Sequence, residues 1–203
     1  MRRQGKLIIL SGPSGVGKGT VCEALKAKRK DIKVSISATT RAKRPQEKEG
    51  ENYFFYSPTE FNALIDRGEL IEFAKVHGNY YGTPKSYVLE QLAAGENVLL
   101  EIDVQGAMQV KQNMPGGVYI FLLPPHRGDL ESRIRKRGSE DEESIHLRLN
   151  NAKEEISMLH DYDYAVVNDE VDRCAERVSH IIDAETQRID AELIHTYWEE
   201  FHD

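Results

Sequence analysis

The chain has 203 residues, 39% hydrophobic and 30% charged, enough for one substantial domain with appended pieces at about 150 residues per domain. That composition excludes a disordered segment, a collagen-like repeat and a disulfide-stapled miniprotein. With 27 Lys plus Arg against 34 Asp plus Glu, the net charge of −7 argues against a surface that wraps nucleic acid or anionic lipid without specificity.

Five short apolar runs bounded by turn residues have the look of strands buried on both faces: Lys6–Leu10, Ile32–Ile36, Val98–Ile102, Val118–Leu123 and Ala165–Val167. The run at Val118–Leu123 stops at Pro124 and Pro125, far short of the roughly 18 residues needed to cross a bilayer. Helical patterns separate the runs, so the expected class is α/β, a parallel sheet covered by helices. Near Asp141 a helix begins whose Ile145, Leu149, Ala152, Ile156 and Leu159 form one stripe. Its first turn carries Asp141, Glu142 and Glu143, where negative charge meets the positive end of the helix dipole. A last helix from about Asp172 is expected to bury Cys174, Val178, Ile181 and Ile182, and Trp198 to Asp203 reads as a solvated acidic tail. Two stretches interrupt the rhythm. Residues 38–93 combine a charged loop with aromatic segments at Tyr53–Tyr56 and Ile71–Tyr81 and a helix from Pro58 to about Gly68, which reads as a small mixed α/β insertion. Residues 126–140 are strongly cationic. The two cysteines, Cys22 and Cys174, are far apart and in no metal-like spacing, which places the chain in a reducing, cytoplasmic compartment.

The first strand leads into Gly12-Pro13-Ser14-Gly15-Val16-Gly17-Lys18-Gly19-Thr20 and then into a helix, the strand, loop and helix context that a phosphate-binding loop requires. Its glycines allow successive N–H groups to turn toward an anion at a helix N-terminus, and Lys18 adds a cation for the terminal phosphates. Gly19 stands where Ser or Thr usually offers a hydroxyl to Mg²⁺. Small nucleotide kinases share Gly-Lys-Gly-Thr, so the departure points to phosphate transfer between nucleotides, with Mg²⁺ held mainly through phosphate and water and Thr20 as its candidate protein contact. After the second strand, Arg41 and Arg44 lie three residues apart with hydroxyls at Ser37 and Tyr53, a set able to hold a second phosphate through bidentate, charge-assisted hydrogen bonds.

At these residues the chain resembles the guanylate kinases. The likeness runs through the phosphate loop, Thr39-Thr40-Arg41 to Tyr53-Phe54-Phe55, Gly78-Asn79-Tyr80-Tyr81-Gly82-Thr83, Ile102-Asp103-Val104-Gln105-Gly106, and the Arg-rich region from Arg133 to Arg148. The resemblance implies a single domain: a five-stranded parallel core (1–37, 94–125 and 156–203) flanked by helices, a GMP-binding insertion at 38–93 and a helical lid at 126–155. It implies that ATP phosphorylates GMP, and also dGMP, with Mg²⁺, and that neither nucleic acid nor a membrane is a partner. Ser37, Arg41, Arg44, Tyr53 and Tyr81 are implied to hold the GMP phosphate, while Glu72, Thr83 and Asp103 address the guanine or its surroundings. Arg133, Arg137 and Arg148 are implied to join Lys18 and Arg41 around the transferring group, with Arg127 and Arg135 left structural or facing solvent.

The chemistry of the base fits. Guanine presents two adjacent N–H donors beside an acceptor, so Glu72 can accept both hydrogens while Thr83 donates to O6. Adenine would set a lone pair against a carboxylate. Without the resemblance, Glu72 between Ile71 and Phe73 is the exposed face of an edge strand. Lys43 and Gln46 depart from the Pro and Gly common in the family, and Glu101 stands where some members carry Asp. Two rivals remain: a phosphopeptide-docking module that has lost catalysis, disfavoured by the intact Lys18 and loop glycines, and a kinase of another acceptor, disfavoured by Glu72 with Thr83. The cationic residues of 126–148, in an acidic chain, predict self-repulsion and an open lid until phosphates arrive.

Overall fold

The computed structural model describes residues 4–76, 78–136, 142–189 and 191–202. The chain runs β1 (Leu7–Ser11), α1 (Lys18–Lys28) and β2 (Ile32–Val34), and then through β3 (Ala38–Thr39), β4 (Phe54–Phe55), α2 (Pro58–Asp66), β5 (Leu70–Val76) and β6 (Asn79–Pro84). There follow α3 (Lys85–Ala93), β7 (Asn97–Glu101), α4 (Val104–Asn113), β8 (Val118–Leu123), α5 (Arg127–Lys136) and α6 (Glu142–Ser157). A 3-10 turn at Met158–Asp161, β9 (Tyr164–Val167), α7 (Val171–Thr186) and α8 (Ala191–His202) complete it. No helix among the described residues is long and apolar enough to cross a membrane.

The five apolar runs form one sheet in the order β2-β7-β1-β8-β9, parallel throughout, with Leu7 beside Val98 and Ile8 beside Val118. Alternate residues of β1 serve opposite faces. Ile8 and Leu10 pack under α1 and α7 with Val21, Leu25, Val178 and Ile182; Leu7 and Ile9 pack under α3 and α4 with Val88, Leu92, Ala107 and Val110. Each such fully buried side chain contributes roughly 1.5–3 kcal/mol, so a central strand must be apolar on both sides. The strand ends differ from expectation by one or two residues: β1 runs one residue further, to Ser11, and β2 stops at Val34.

The insertion builds a second sheet, β4-β3-β6-β5, in which β3 and β4 are parallel and the other pairs antiparallel. α2 starts where Ser57 and Glu60 close a capping box with Pro58 in the first turn. The β5–β6 pairing loses register between Leu70 and Phe73. That irregularity sits on Glu72, and bulges re-aim side chains: Ile71 and Glu72, adjacent in sequence, are both buried. α4 pins the outer edge of the irregular stretch. Gln109 exchanges hydrogen bonds with the N–H and carbonyl of Phe73, and Asn113 donates to the Ile71 carbonyl. The exposed-strand reading of Glu72 is thereby excluded.

Ile145, Leu149 and Ala152 of α6 meet Leu130 and Ile134 of α5 in a separate apolar cluster. α7 buries Cys174, Ala175, Val178 and Ile182, while Ile181 is only half-buried. The expected tail is corrected: residues 191–202 are a helix of their own, whose apolar side chains face outward.

Candidate active site

The loop between β1 and α1 ends on Gly17, which holds φ at 100° at the N-cap of α1. A side chain there would be strained, and its Cβ would lie 2.7 Å from Asn168 Nδ2. Gly12, at φ 145°, passes so close to the Leu122 carbonyl that a Cβ would stand 2.5 Å from its oxygen. Only glycine allows β8 and the loop to approach this closely. Lys18 Nζ donates to the Gly12 carbonyl at 2.6 Å, folding its side chain back over the loop. Gly19 lies against Glu101, whose Oε1 would be 3.3 Å from a Cβ. Burial raises the Glu101 carboxyl above its ordinary range while the Lys18 charge draws it down, and burial pushes the neighbouring Cys22 thiol far up. Thr20 is exposed on the first turn of α1.

The lid helices reach the loop directly. Arg133 on α5 donates to the carbonyls of Val16 and Asn168 at 3.0 and 2.9 Å, and Asn168 itself donates to Val16. Arg148 on α6 donates to Ser14 Oγ at 2.7 Å, and the Ser14 N–H donates to Glu155 Oε2 at 3.2 Å. Arg137 lies outside the described residues. Arg135 is paired with Glu131 and Glu142, and Arg127 is exposed. Apolar packing joins α5 to α6, and carboxylates offset the charge of Arg135.

On the acceptor side, Glu72 is 7% exposed. Burial first, then the charge of Asp103, push its carboxyl up to about 7, against the opposing hydrogen bond from Thr83. Thr83 Oγ donates to Glu72 Oε1 at 2.6 Å, so in this arrangement its proton orients the carboxylate. Asp103 Oδ1 accepts from the Gly106 N–H at 2.7 Å as the N-cap of α4. A Cβ on Gly106 would stand 3.2 Å from Glu72 Oε2 and 3.4 Å from Asp103 Oδ1, so this glycine leaves room for two carboxylates to share one corner. Ser37, Tyr53 and Thr83 line a cavity of about 190 Å³ with Ser35 and Glu101. The Ser35 hydroxyl there is buried and has no hydrogen-bond partner among the described residues.

Arg41 joins this group already engaged. Its guanidinium meets Glu47 at 2.7 and 3.1 Å and lies over the rings of Tyr53 and Phe55, 5.4 and 5.9 Å from their centres. Tyr81 packs edge-on to Tyr53. Arg44 points its side chain into solvent while its N–H donates to Glu47. The structure thus brings Ser37, Arg41, Tyr53, Tyr81, Glu72, Thr83 and Asp103 to the insertion and its junction with the core, and leaves Arg44 at the rim.

The guanylate kinase family model matches residues 4–185. The chain belongs to the guanylate kinase family. It is 52% identical over 190 residues to a guanylate kinase of Caldanaerobacter subterraneus, covering 94% of this chain and 92% of that one. To one of Halalkalibacterium halodurans it is 53% identical over 184 residues, covering 91% and 90%. The crystal structure of guanylate kinase from Anaplasma phagocytophilum superposes with a TM-score of 0.71 at 37% identity, over 92% of this chain and 89% of that chain. Within this guanylate kinase frame, sequence reasoning gave no role to Glu47, Gly106, Asn168 or Glu155. Glu47 and Gly106 lay inside the quoted motifs, where a carboxylate six residues from Arg41 and a glycine three after Asp103 were available signals. Asn168 and Glu155 are 152 and 141 residues from their loop partners, and no local pattern announces such a contact.

Proposed function

We propose that this protein transfers the γ-phosphoryl group of ATP to GMP, and also to dGMP, by direct in-line displacement, as a step of purine nucleotide metabolism in the cytoplasm. The observation that carries the reading is the buried Glu72, aimed by an irregular strand and held by Thr83: guanine alone among the common bases offers it two adjacent N–H donors. The recognising groups address base and phosphate, so the 2′-hydroxyl goes unread and dGMP is accepted.

ATP binds with its phosphates along Gly12–Thr20, where Lys18 leaves the Gly12 carbonyl for them. The acceptor phosphate is bound by Ser37, Arg41, Arg44, Tyr53 and Tyr81, with Arg41 sharing its donors between the phosphate and Glu47. Asp103, fixed as a helix cap, closes the corner beside Glu72. The attacking phosphate oxygen is anionic at neutral pH, so no general base is needed, and catalysis is positioning plus charge neutralisation. Lys18, Arg41, Arg133, Arg137 and Arg148 surround the transferring group, and closure of the insertion and lid excludes water. The oxygens of Glu101 and the Thr20 hydroxyl, beside the loop, are hard donors that would hold a hydrated Mg²⁺, which would supply positive charge to the ATP phosphates. The moving parts are the insertion, the lid 126–155 and the core. α3 moves with the core, because Val88 and Leu92 pack beneath β1 and β7, so the insertion hinges before Lys85 rather than at 93.

A coupled assay of ADP release with Mg-ATP and GMP, dGMP, AMP, CMP or UMP tests this. Turnover with GMP and dGMP is expected. Equal turnover with AMP would overturn the assignment of Glu72.

A further inference from the structure

At the end of the sheet opposite the phosphate loop, the approaches to β1, β8 and β9 open on a cavity of about 480 Å³, bordered by the ends of α4 and α7. Lys6, Lys111 and Arg188 line it together with Asp163 and Glu185. Both carboxylates already serve the protein. Asp163 Oδ2 accepts the Tyr119 N–H at 2.8 Å, and Glu185 accepts from the Tyr164 hydroxyl and faces Arg188 at 3.5 Å. The three cations come from separate elements: Lys6 precedes β1, Lys111 sits in the last turn of α4, and Arg188 follows α7.

Tyr119 also lines the cavity. It is 2% exposed, yet its hydroxyl has no hydrogen-bond partner among the described residues, and a buried hydroxyl is costly until something satisfies it. Burial first, then the charge of Asp163, push this hydroxyl up to about 12, so at neutral pH it is a donor. The Lys111 ammonium lies 5.3 Å from the centre of the Tyr119 ring and donates to the Asp161 carbonyl. Cations on three elements and a phenol donor suit a ligand rich in acceptor oxygens, as a phosphate is, and the volume is that of a small-molecule site. The proposed transfer makes no use of it.

α4 connects this cavity to the acceptor site. Its N-cap is Asp103, which shares a corner with Glu72. Toward its other end, Gln109 and Asn113 hold β5 at Phe73 and Ile71, the two neighbours of Glu72, and Lys111 lies between them in sequence. A ligand that fixes Lys111 therefore fixes the helix end that aims Glu72.

We infer that this cavity binds a small phosphorylated molecule through Lys6, Lys111, Arg188 and the Tyr119 hydroxyl, and that its occupation tightens GMP binding through α4. Ordering the end of α4 before GMP arrives removes part of the ordering cost that GMP otherwise meets. The coupling rests on GMP as the acceptor; the site does not.

Inorganic pyrophosphate is the probe. Amide NMR is expected to show saturable shifts at residues 111–119 with a Kd below about 1 mM, whether or not a bisubstrate analogue fills the substrate sites, and none with acetate at the same ionic strength. Because these shifts are read apart from those of the phosphate loop, their failure is distinct from a failure of the transfer reading. Arg188→Gln and Lys111→Gln should each weaken that binding at least about fivefold, and Arg188→Gln should leave the thermal midpoint and the turnover without probe unchanged. Calorimetry with the phosphate loop filled by a non-hydrolysable ATP analogue supplies the second arm: saturating pyrophosphate should lower the GMP Kd about fivefold in the wild type relative to Arg188→Gln, with slower amide exchange over residues 109–113. Equal shifts with acetate, a pyrophosphate Kd indifferent to both substitutions, or a GMP affinity that responds alike in wild type and Arg188→Gln overturns the inference.

Discussion

A carboxyl group pushed up to about 7 is half protonated at neutral pH, and for Glu72 this has a measurable consequence. Accepting two N–H groups from guanine requires the ionised form, so below pH 7 a proton must leave before GMP can bind. GMP affinity by calorimetry is expected to fall about tenfold per pH unit from 7 to 5 relative to Glu72→Gln, in which that linkage is absent, and to level off above about 8. The substitution itself should cost about 2 to 5 kcal/mol of GMP binding, since the amide turns a donor toward donors. Stability carries the opposite sign. The folded value lies above the ordinary 4.5, so the neutral form is the one the fold favours; its contribution is present at low pH and lost as pH rises through about 7. Denaturation of the two proteins between pH 4.5 and 7 should show the wild type losing ground to the glutamine variant, with the difference level above about 8. Gly106→Ala puts a methyl group into the corner shared by Glu72 and Asp103, and about a tenfold rise in GMP Kd is expected with ATP affinity unchanged. Lys18→Ala should leave GMP binding intact and lower kcat on the order of 10²- to 10³-fold; unchanged turnover would refute its role at the donor phosphates.

At the scale of elements, α6 matters most for the donor site, because it sends an arginine and a carboxylate to the same residue. Glu155 accepts from the Ser14 N–H, and burial holds its carboxyl above the usual range even with Lys18 and Arg148 pulling the other way. An ATP phosphate that takes this N–H must displace a like charge. Glu155→Gln should therefore tighten Mg-ATP binding by roughly fivefold, about 1 kcal/mol, and the advantage should shrink as pH falls and Glu155 takes up a proton. Equal ATP affinity in the two proteins at pH 8 would show that the contact carries no such cost. The five core strands were legible because a parallel strand buried on both faces leaves an unbroken apolar run. The phosphate loop was legible because its spacing follows from backbone geometry alone. The burial of Glu72 was not, because it depends on a register slip in β5 and on Gln109 and Asn113 of α4, none of which alters a local pattern. α8 was misjudged because its end, Trp198 to Asp203, is half acidic and was read alone, although Ile194, Tyr197, Trp198 and Phe201 already lay on one helix face.

For the whole molecule, the proposed transfer requires the residues carried by the second sheet and by α5 and α6 to close on the phosphate loop when both substrates bind. A chain of this length has an expected radius of gyration of about 17 Å. Small-angle scattering should show a fall of roughly 1 Å when a bisubstrate analogue joins the two sites, with slower amide exchange in α5 and α6. Unchanged radius and exchange would reject closure. The position of β1 also sets a schedule for synthesis. Both its partners arrive late: Leu7 waits for Val98 and Ile8 for Val118. At about 5–20 residues per second, the ribosome takes several seconds or more to deliver them, and until then an apolar strand is without either neighbour. Nascent chains stalled before Asn97 should thus leave the loop open to protease and unable to retain ATP, whereas chains that have released β8 should protect it. The nucleotide site, though encoded within the first twenty residues, comes into being only after more than half of the protein has been made.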